Sequence, residues 1–95
     1  VLSVRESEAD FQAWIIDLAG IRRWAIYHTY DSRRSNPGFP DLVLVRERVL
    51  FREVKTEGGV LTGAQSAWLN RLTRAGADAG VWRPSDRRSI EKELE

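Results

Sequence analysis

Asp41, Glu53 and Lys55 are the residues of this chain best suited to do chemistry. They lie in GFPDLVLVRERVLFREVKTEGG, residues 38–59, a stretch otherwise dominated by Leu, Val and Phe. Side chains alternate faces along a strand, so Glu53 and Lys55 share a face, with roughly 6.6 Å between their Cα atoms. A turn centred on Glu47 sets position 45 opposite 49, 43 opposite 51 and 41 opposite 53. Asp41 and Glu53 are then directly opposed on adjacent antiparallel strands. A two-residue turn would shift the register by one and send Asp41 to the other face.

Two carboxylates so placed repel unless a cation sits between them. A divalent metal with oxygen ligands meets that need, and the backbone carbonyl of Val54 would add another ligand. Such a metal polarises a phosphate oxygen and acidifies a bound water. Lys55 beside it would orient that water and counter charge developing on phosphorus-bound oxygens. Glu8 belongs to the same discussion. It falls on the apolar line Val4, Phe11, Ile15, Leu18 of a first helix, where a carboxylate is costly unless paired or metal-bound. Plainer readings stand beside these. Asp41 and Glu53 could share Lys55 in a cross-strand salt bridge of modest energy. Glu8 could occupy a first helical turn, where acids suit the helix dipole.

Composition narrows the chemistry. The chain has 95 residues, enough for one domain with one core, taken as residues 1–95. It is 42% hydrophobic and 31% charged, which is globular rather than disordered composition. No apolar run is long enough to span a membrane, and no secretory leader is visible. The absence of cysteine excludes disulfides and thiolate metal sites and fits a reducing, cytoplasmic compartment. A single His, His28, excludes a His-rich zinc site, so the oxygen-ligand metals Mg2+ and Mn2+ are favoured. His28 itself reads as a packed strand residue. A net charge of +1 argues only weakly for nucleic acid. All basic residues but Lys55 and Lys92 are Arg, which suits bidentate phosphate contacts and equally reflects a GC-rich coding sequence.

The elements that must position these residues follow from local patterns. A helix spans about residues 4–19, with Ser3 and Glu6 as a capping box and Gly20 as its stop. Residues 23–30 read as a strand, and DSRRSNPGFP as a loop with turn chemistry at Asn36, Pro37, Gly38 and Pro40. Residues 41–45 and 49–55 are strands apolar on both faces, implying a sheet covered on much of both sides. A second helix over about 63–75 starts at Thr62 and stops at Gly76, with Ala64, Trp68, Leu72 and Ala75 in line. Residues 79–82 form a last strand, and Pro84 and Ser85 open a third helix carrying Ile90 and Leu94. The order is α-β-β-β-α-β-α, with a parallel final β-α-β crossover in a mixed sheet. The four Trp residues sit on element faces and read as core or interface.

Pro40-Asp41 followed by Glu53-Val54-Lys55 resembles the PD-(D/E)XK motif of restriction-endonuclease-like nucleases. The wider pattern resembles the VRR-NUC family within that group: a first-helix Glu, Ser-Arg-Arg, Gly-Phe-Pro-Asp-Leu, Glu-Val-Lys-Thr, Leu-Thr-x-x-Gln, Trp-Leu and a closing Ala-Gly. It covers about residues 5–84. The resemblance implies an α/β fold with a restriction-endonuclease-like αβββαβ core, helices packed against a mixed sheet, and here an extra C-terminal helix. It implies a metal-dependent phosphodiesterase with Asp41 and Glu53 as metal ligands, Lys55 as catalytic lysine, Glu8 as the helical acid and Gln65 at the site's edge. Thr62 and Gln65 also form a capping box, and both roles are compatible. In the preceding loop, Arg33, Arg34 and Ser35 are candidate phosphate contacts, and Gly38 would let backbone approach DNA closely. Similar stand-alone viral members imply a homodimer cutting branched DNA such as four-way (Holliday) junctions, in phage or repair settings inside a host cell. A flap- or end-directed nuclease is the alternative enzyme, and a catalytically silent DNA-binding module the alternative of another class.

Overall fold

A computed structural model describes residues 6–29 and 36–95. The elements are α1 (Glu8–Ile21), β1 (Ala25–His28), β2 (Leu42–Val45), β3 (Val49–Val54), α2 (Gly63–Arg74), β4 (Asp78–Trp82), a 3-10 turn (Pro84–Asp86) and α3 (Arg87–Glu93). Their order matches the expectation from sequence, including the C-terminal helix. The four strands form one sheet in the order β1-β2-β3-β4. The β1–β2 and β2–β3 pairs are antiparallel and β3–β4 is parallel, so the sheet is mixed.

The β2–β3 turn fixes the register. Val45 pairs with Val49, Val43 with Phe51 and Leu42 with Arg52. The turn is therefore centred on Glu47, and Arg46 N–H closes it by donating to Arg48 O at 3.1 Å. Its two arginines do not project freely. Arg46 lies 4.6 Å from the Trp24 ring centroid, and Arg48 lies 5.4 Å from it. Both also donate to the last carbonyls of the chain, Arg46 to Leu94 O and Glu95 O, and Arg48 to Glu93 O. The turn is thus consumed in docking the C-terminal end, where cations complement exposed helical carbonyls.

Even-numbered strand residues face the main core. Leu42, Leu44, Leu50 and Val54 are fully buried with Phe11, Ile15 and Ala19 of α1 and with Ile90 and Leu94. Burying each large side chain contributes roughly 1.5–3 kcal/mol. Arg52, also even-numbered and 5% exposed, bonds Asp78 Oδ1 at 2.8 Å and Glu93 Oε1 at 3.0 Å. It stacks 5.1 Å from the Trp82 ring and ties β3, β4 and α3 together.

The odd-numbered face is less covered than the sequence implies. Val45 and Val49 are about two-fifths exposed, at 41% and 42%, and Tyr27 is exposed as well. No residue of α2 is fully buried. The α2 helix lies against β4, with Trp68 reaching Phe39 at 5.1 Å between ring centroids. Apolar residues on both strand faces therefore gave only half of a second cover.

The start of α1 also differs. Ser7, not Ser3, is its cap, accepting from Asp10 N–H at 3.0 Å. Ser3 and Val4 lie outside the described residues. Glu6 instead binds Arg87 through both carboxylate oxygens, at 2.6 Å each. The helix runs past Gly20 to Ile21, and the chain reverses at Arg23 with φ 66°. Trp24, 4% exposed and donating Nε1–H to Leu94 O at 3.0 Å, anchors the entry into β1.

Candidate active site

The turn at Glu47 puts Asp41, one residue before β2, opposite Glu53 near the end of β3. Asp41 is held on both sides. Its backbone carbonyl accepts from Thr29 N–H at 3.1 Å, and its Oδ2 accepts from Val54 N–H at 2.9 Å. Glu53 is 2% exposed, which is rare for a carboxylate. Its Oε2 accepts from Gln65 Nε2–H at 3.0 Å, and Lys55 Nζ stands 4.0 Å away. Its Oε1 is buried and has no hydrogen-bond partner among the described residues. A buried carboxylate oxygen left in that state costs free energy unless something else satisfies it.

Gln65 uses both ends of its amide. Its Oε1 accepts from Thr62 N–H at 2.9 Å, and Thr62 Oγ1 accepts from Gln65 N–H at 3.1 Å, completing a capping box. Its Nε2 is then directed at Glu53. The first turn of α2 and the strand carboxylate are thereby one unit: the expected capping box is present, and the same side chain reaches Glu53.

Gly38 fixes where that turn sits. Its φ is +90°, and a Cβ there would lie 2.4 Å from Ala64 C and 2.7 Å from Gln65 N. The close approach that glycine permits is made to the backbone of α2. Phe39 next to it packs edge-on to Phe51 and Trp68, and Pro40 is fully buried. The Gly-Phe-Pro run thus wedges Asp41 and Gln65 into a common frame.

Glu8 departs from its expected setting. It is the first residue of α1 and is exposed, one turn before Phe11, where burial begins. It lies in line with Phe11 and Ile15 but ahead of the point where that stripe becomes covered. Its charge nonetheless reaches Glu53, as the smallest of several influences there. Burial, above all, pushes the Glu53 carboxyl well above the usual carboxylate range. The neighbouring Asp41 carboxylate pushes the same way, and Lys55 opposes it. Arg33, Arg34 and Ser35 lie outside the described residues. His28 meets Gln12 through Nε2 at 2.6 Å.

The donor set suits a hard divalent cation in part. Two opposed carboxylates, one with an unpartnered buried oxygen, are oxygen ligands of the right kind. No cluster of three or more His, Cys, Asp or Glu able to hold a metal occurs among the described residues. Any further ligands would have to be backbone carbonyl, water or substrate oxygens, which Mg2+ commonly uses.

The VRR-NUC domain profile matches residues 6–86. The chain belongs to the VRR-NUC domain family. Family membership implies a nuclease-type, DNA-processing function. A solved "VRR_NUC domain protein" superposes with a TM-score of 0.75 at 21% identity, covering 97% of this chain and 93% of that one. At that identity the likeness establishes the fold. Comparison with curated proteins found no match. Among the described residues, no helix of this VRR-NUC chain is long and apolar enough to cross a membrane.

Sequence reasoning missed Arg83. Its Nη1 donates to the carbonyls of Thr56 and Gly59, each at 2.7 Å, directly after Lys55. An Arg following a short strand carries no local signal of such a role.

The raised Glu53 pKa has a consequence for the metal-free protein. The folded state holds this proton to higher pH than the unfolded state does. The associated stability is full below the ordinary carboxylate range and is lost as pH rises toward the raised value, by at most ~1.4 kcal/mol per pH unit. Urea denaturation with chelator present should show the parent weaker at about pH 8 than at about pH 5.5, with Glu53→Gln flattening that difference. Parallel profiles for the two proteins would refute the assignment.

Proposed function

We propose that this VRR-NUC chain is a metal-dependent DNA endonuclease of the PD-(D/E)XK type, hydrolysing phosphodiester bonds through Asp41, Glu53 and Lys55. The observation that carries this reading is the buried Glu53 set opposite Asp41, with Oε1 unpartnered among the described residues. A structural salt bridge does not need that arrangement. At 4.0 Å, Lys55 is too far from Glu53 to neutralise the pair by a strong hydrogen-bonded contact. Two repelling acids would be an odd choice for a surface that only binds phosphate.

Asp41 and Glu53 would hold Mg2+ or Mn2+, with the Val54 carbonyl and, through its charge, Glu8 contributing. When bound, the ion supplies Lewis-acid polarisation of a phosphate oxygen and of an attacking water. The chain's own residues do the rest. Val54 N–H fixes the Asp41 carboxylate, and Gln65 fixes that of Glu53, so neither must reorganise as substrate arrives. Lys55 Nζ, only loosely paired, is available to orient water and to meet negative charge on the phosphate. Arg33, Arg34 and Ser35 would hold flanking phosphates, which position DNA without reading its sequence. Gly38 would serve the same surface by keeping the loop close to α2.

The substrate in this proposal is branched DNA, four-way junctions above all, cut by a homodimer of the stand-alone viral type. A two-fold dimer brings two sites to two strands. Support comes from the resemblance in sequence and from the exposed Tyr27, Val45 and Val49 on the odd-numbered sheet face.

A panel of junction, flap and linear DNA with Mg2+ or Mn2+ tests the activity. Junctions should be cut fastest, and Lys55→Ala should lower kcat by about 100-fold or more, as loss of a preorganised charge does. No cleavage of any substrate would leave the silent DNA-binding alternative; a Lys55→Ala protein as active as the parent would remove the role of that lysine. Sedimentation should give a dimer at micromolar concentration, and a monomer there would dismiss the two-fold arrangement.

A further inference from the structure

In this chain Lys55 directly follows the end of β3 at Val54 and leads into Thr56-Glu57-Gly58-Gly59. Its backbone N–H donates to Trp82 O at 3.1 Å, which extends the β3–β4 pairing by one bond. The four residues beyond it form a turn closed by Gly59 N–H donating to Thr56 O at 3.2 Å. The two glycines give such a turn backbone freedom that other bonds must restrain.

The brace on this turn comes from the end of β4. Arg83 sends one guanidinium nitrogen, Nη1, into the ring of turn carbonyls, reaching Thr56 O and Gly59 O at 2.7 Å and Glu57 O at 3.3 Å. Ser85 N–H donates to Glu57 Oε1 at 2.9 Å, and hydrogen bonding from the Ser85 side chain and then its backbone holds the Glu57 carboxyl below its usual range. Arg83 is itself set in place, its N–H donating to Asp86 Oδ2 at 2.8 Å. On the inner side the lysine stem passes next to Gly59, close enough that a side chain there would meet it. A Cβ added at Gly59 would lie 2.9 Å from Thr56 Oγ1 and 3.4 Å from Lys55 Cδ. Asp86, Arg83 and the turn carbonyls are thus joined by hydrogen bonds, and the turn so held places Gly59 beside the Lys55 methylenes.

We propose that Arg83 is a positioning residue for Lys55, clamping the Thr56–Gly59 turn so that the turn braces the lysine side chain beside Glu53. This rests on the nuclease reading for the role of Lys55, while the clamp itself can be tested without it. Arg is suited to the task because it is always charged and its planar fork can serve several carbonyls at once. Lys at the same position retains a cation and some of those bonds.

The test compares Arg83→Ala, Arg83→Lys and Gly59→Ala with the parent in two ways. Amide hydrogen exchange should speed up at Lys55–Gly59 in Arg83→Ala, leaving β1 and β2 protected as in the parent. Cleavage of the best substrate should lose about 10- to 100-fold in kcat, the scale of a small misplacement of a reacting group, with KM within about twofold. Arg83→Lys should recover most of it. Gly59→Ala, which disturbs the turn while Arg83 is intact, should show the same kcat-selective loss and keeps the test open if Arg83→Ala does not fold. Unchanged exchange in the turn would overturn the clamp. Faster exchange with kcat unchanged, or losses shared equally by kcat and KM, would overturn its action on Lys55. If instead Lys55→Ala is as active as the parent, the nuclease role of the lysine fails, and the exchange data still decide the clamp.

Discussion

The site depends on one electrostatic conflict held in place by hydrogen bonds. Asp41 and Glu53 face each other because a three-residue turn centred on Glu47 sets the β2–β3 register. Left to themselves the two carboxylates would separate or share a proton. They cannot separate, since Val54 N–H holds one and Gln65 the other. Burial of Glu53 then magnifies the conflict, because a charge in a low-dielectric setting is poorly stabilised. A hard cation resolves all of this at once, and that is the physical core of the metal-dependent reading.

The surroundings serve to keep that conflict in place. The even-numbered strand face, α1 and α3 form the fully buried core, and the arginines at the turn dock the C-terminal end. The odd-numbered face carries the site and keeps a thinner cover. The first turn of α2 is caught between two demands: its cap uses one end of the Gln65 amide and Glu53 the other. Gly38 admits the loop close enough for this to happen, since any Cβ there would strike the α2 backbone. Stability and site geometry are therefore shared at Gln65 and Gly38.

Much of this was legible in the residues. Parity places 41, 53 and 55 on one face, and a turn on Glu47 makes an opposed pair, as the register shows. Thr62 and Gln65 were readable as a capping box because capping is local chemistry. The same locality misled at the first helix. Ser3 with Glu6 looks as good a box as the actual cap at Ser7, and what separates them is the Glu6–Arg87 pairing, 81 residues apart in sequence. The same shift moves Glu8: a helix beginning at residue 4 would place it one turn inside, whereas it opens α1 in solvent, the first-turn position that suits an acid. The cover of the sheet was overestimated because apolar strand residues say nothing about where a helix crosses. Arg83 was silent because its partners are backbone carbonyls, which carry no sequence signature.

The central claim is that Asp41 and Glu53 form a binding site for a divalent cation. Calorimetric titration of Mn2+ into chelator-treated protein, run beside Glu53→Gln, tests it most directly. Saturable binding is predicted for the parent, and none, or binding at least about 10-fold weaker, for the variant, given that removing a charged ligand costs well over 1.4 kcal/mol. Equal binding by the two proteins, or no binding by the parent, would contradict it.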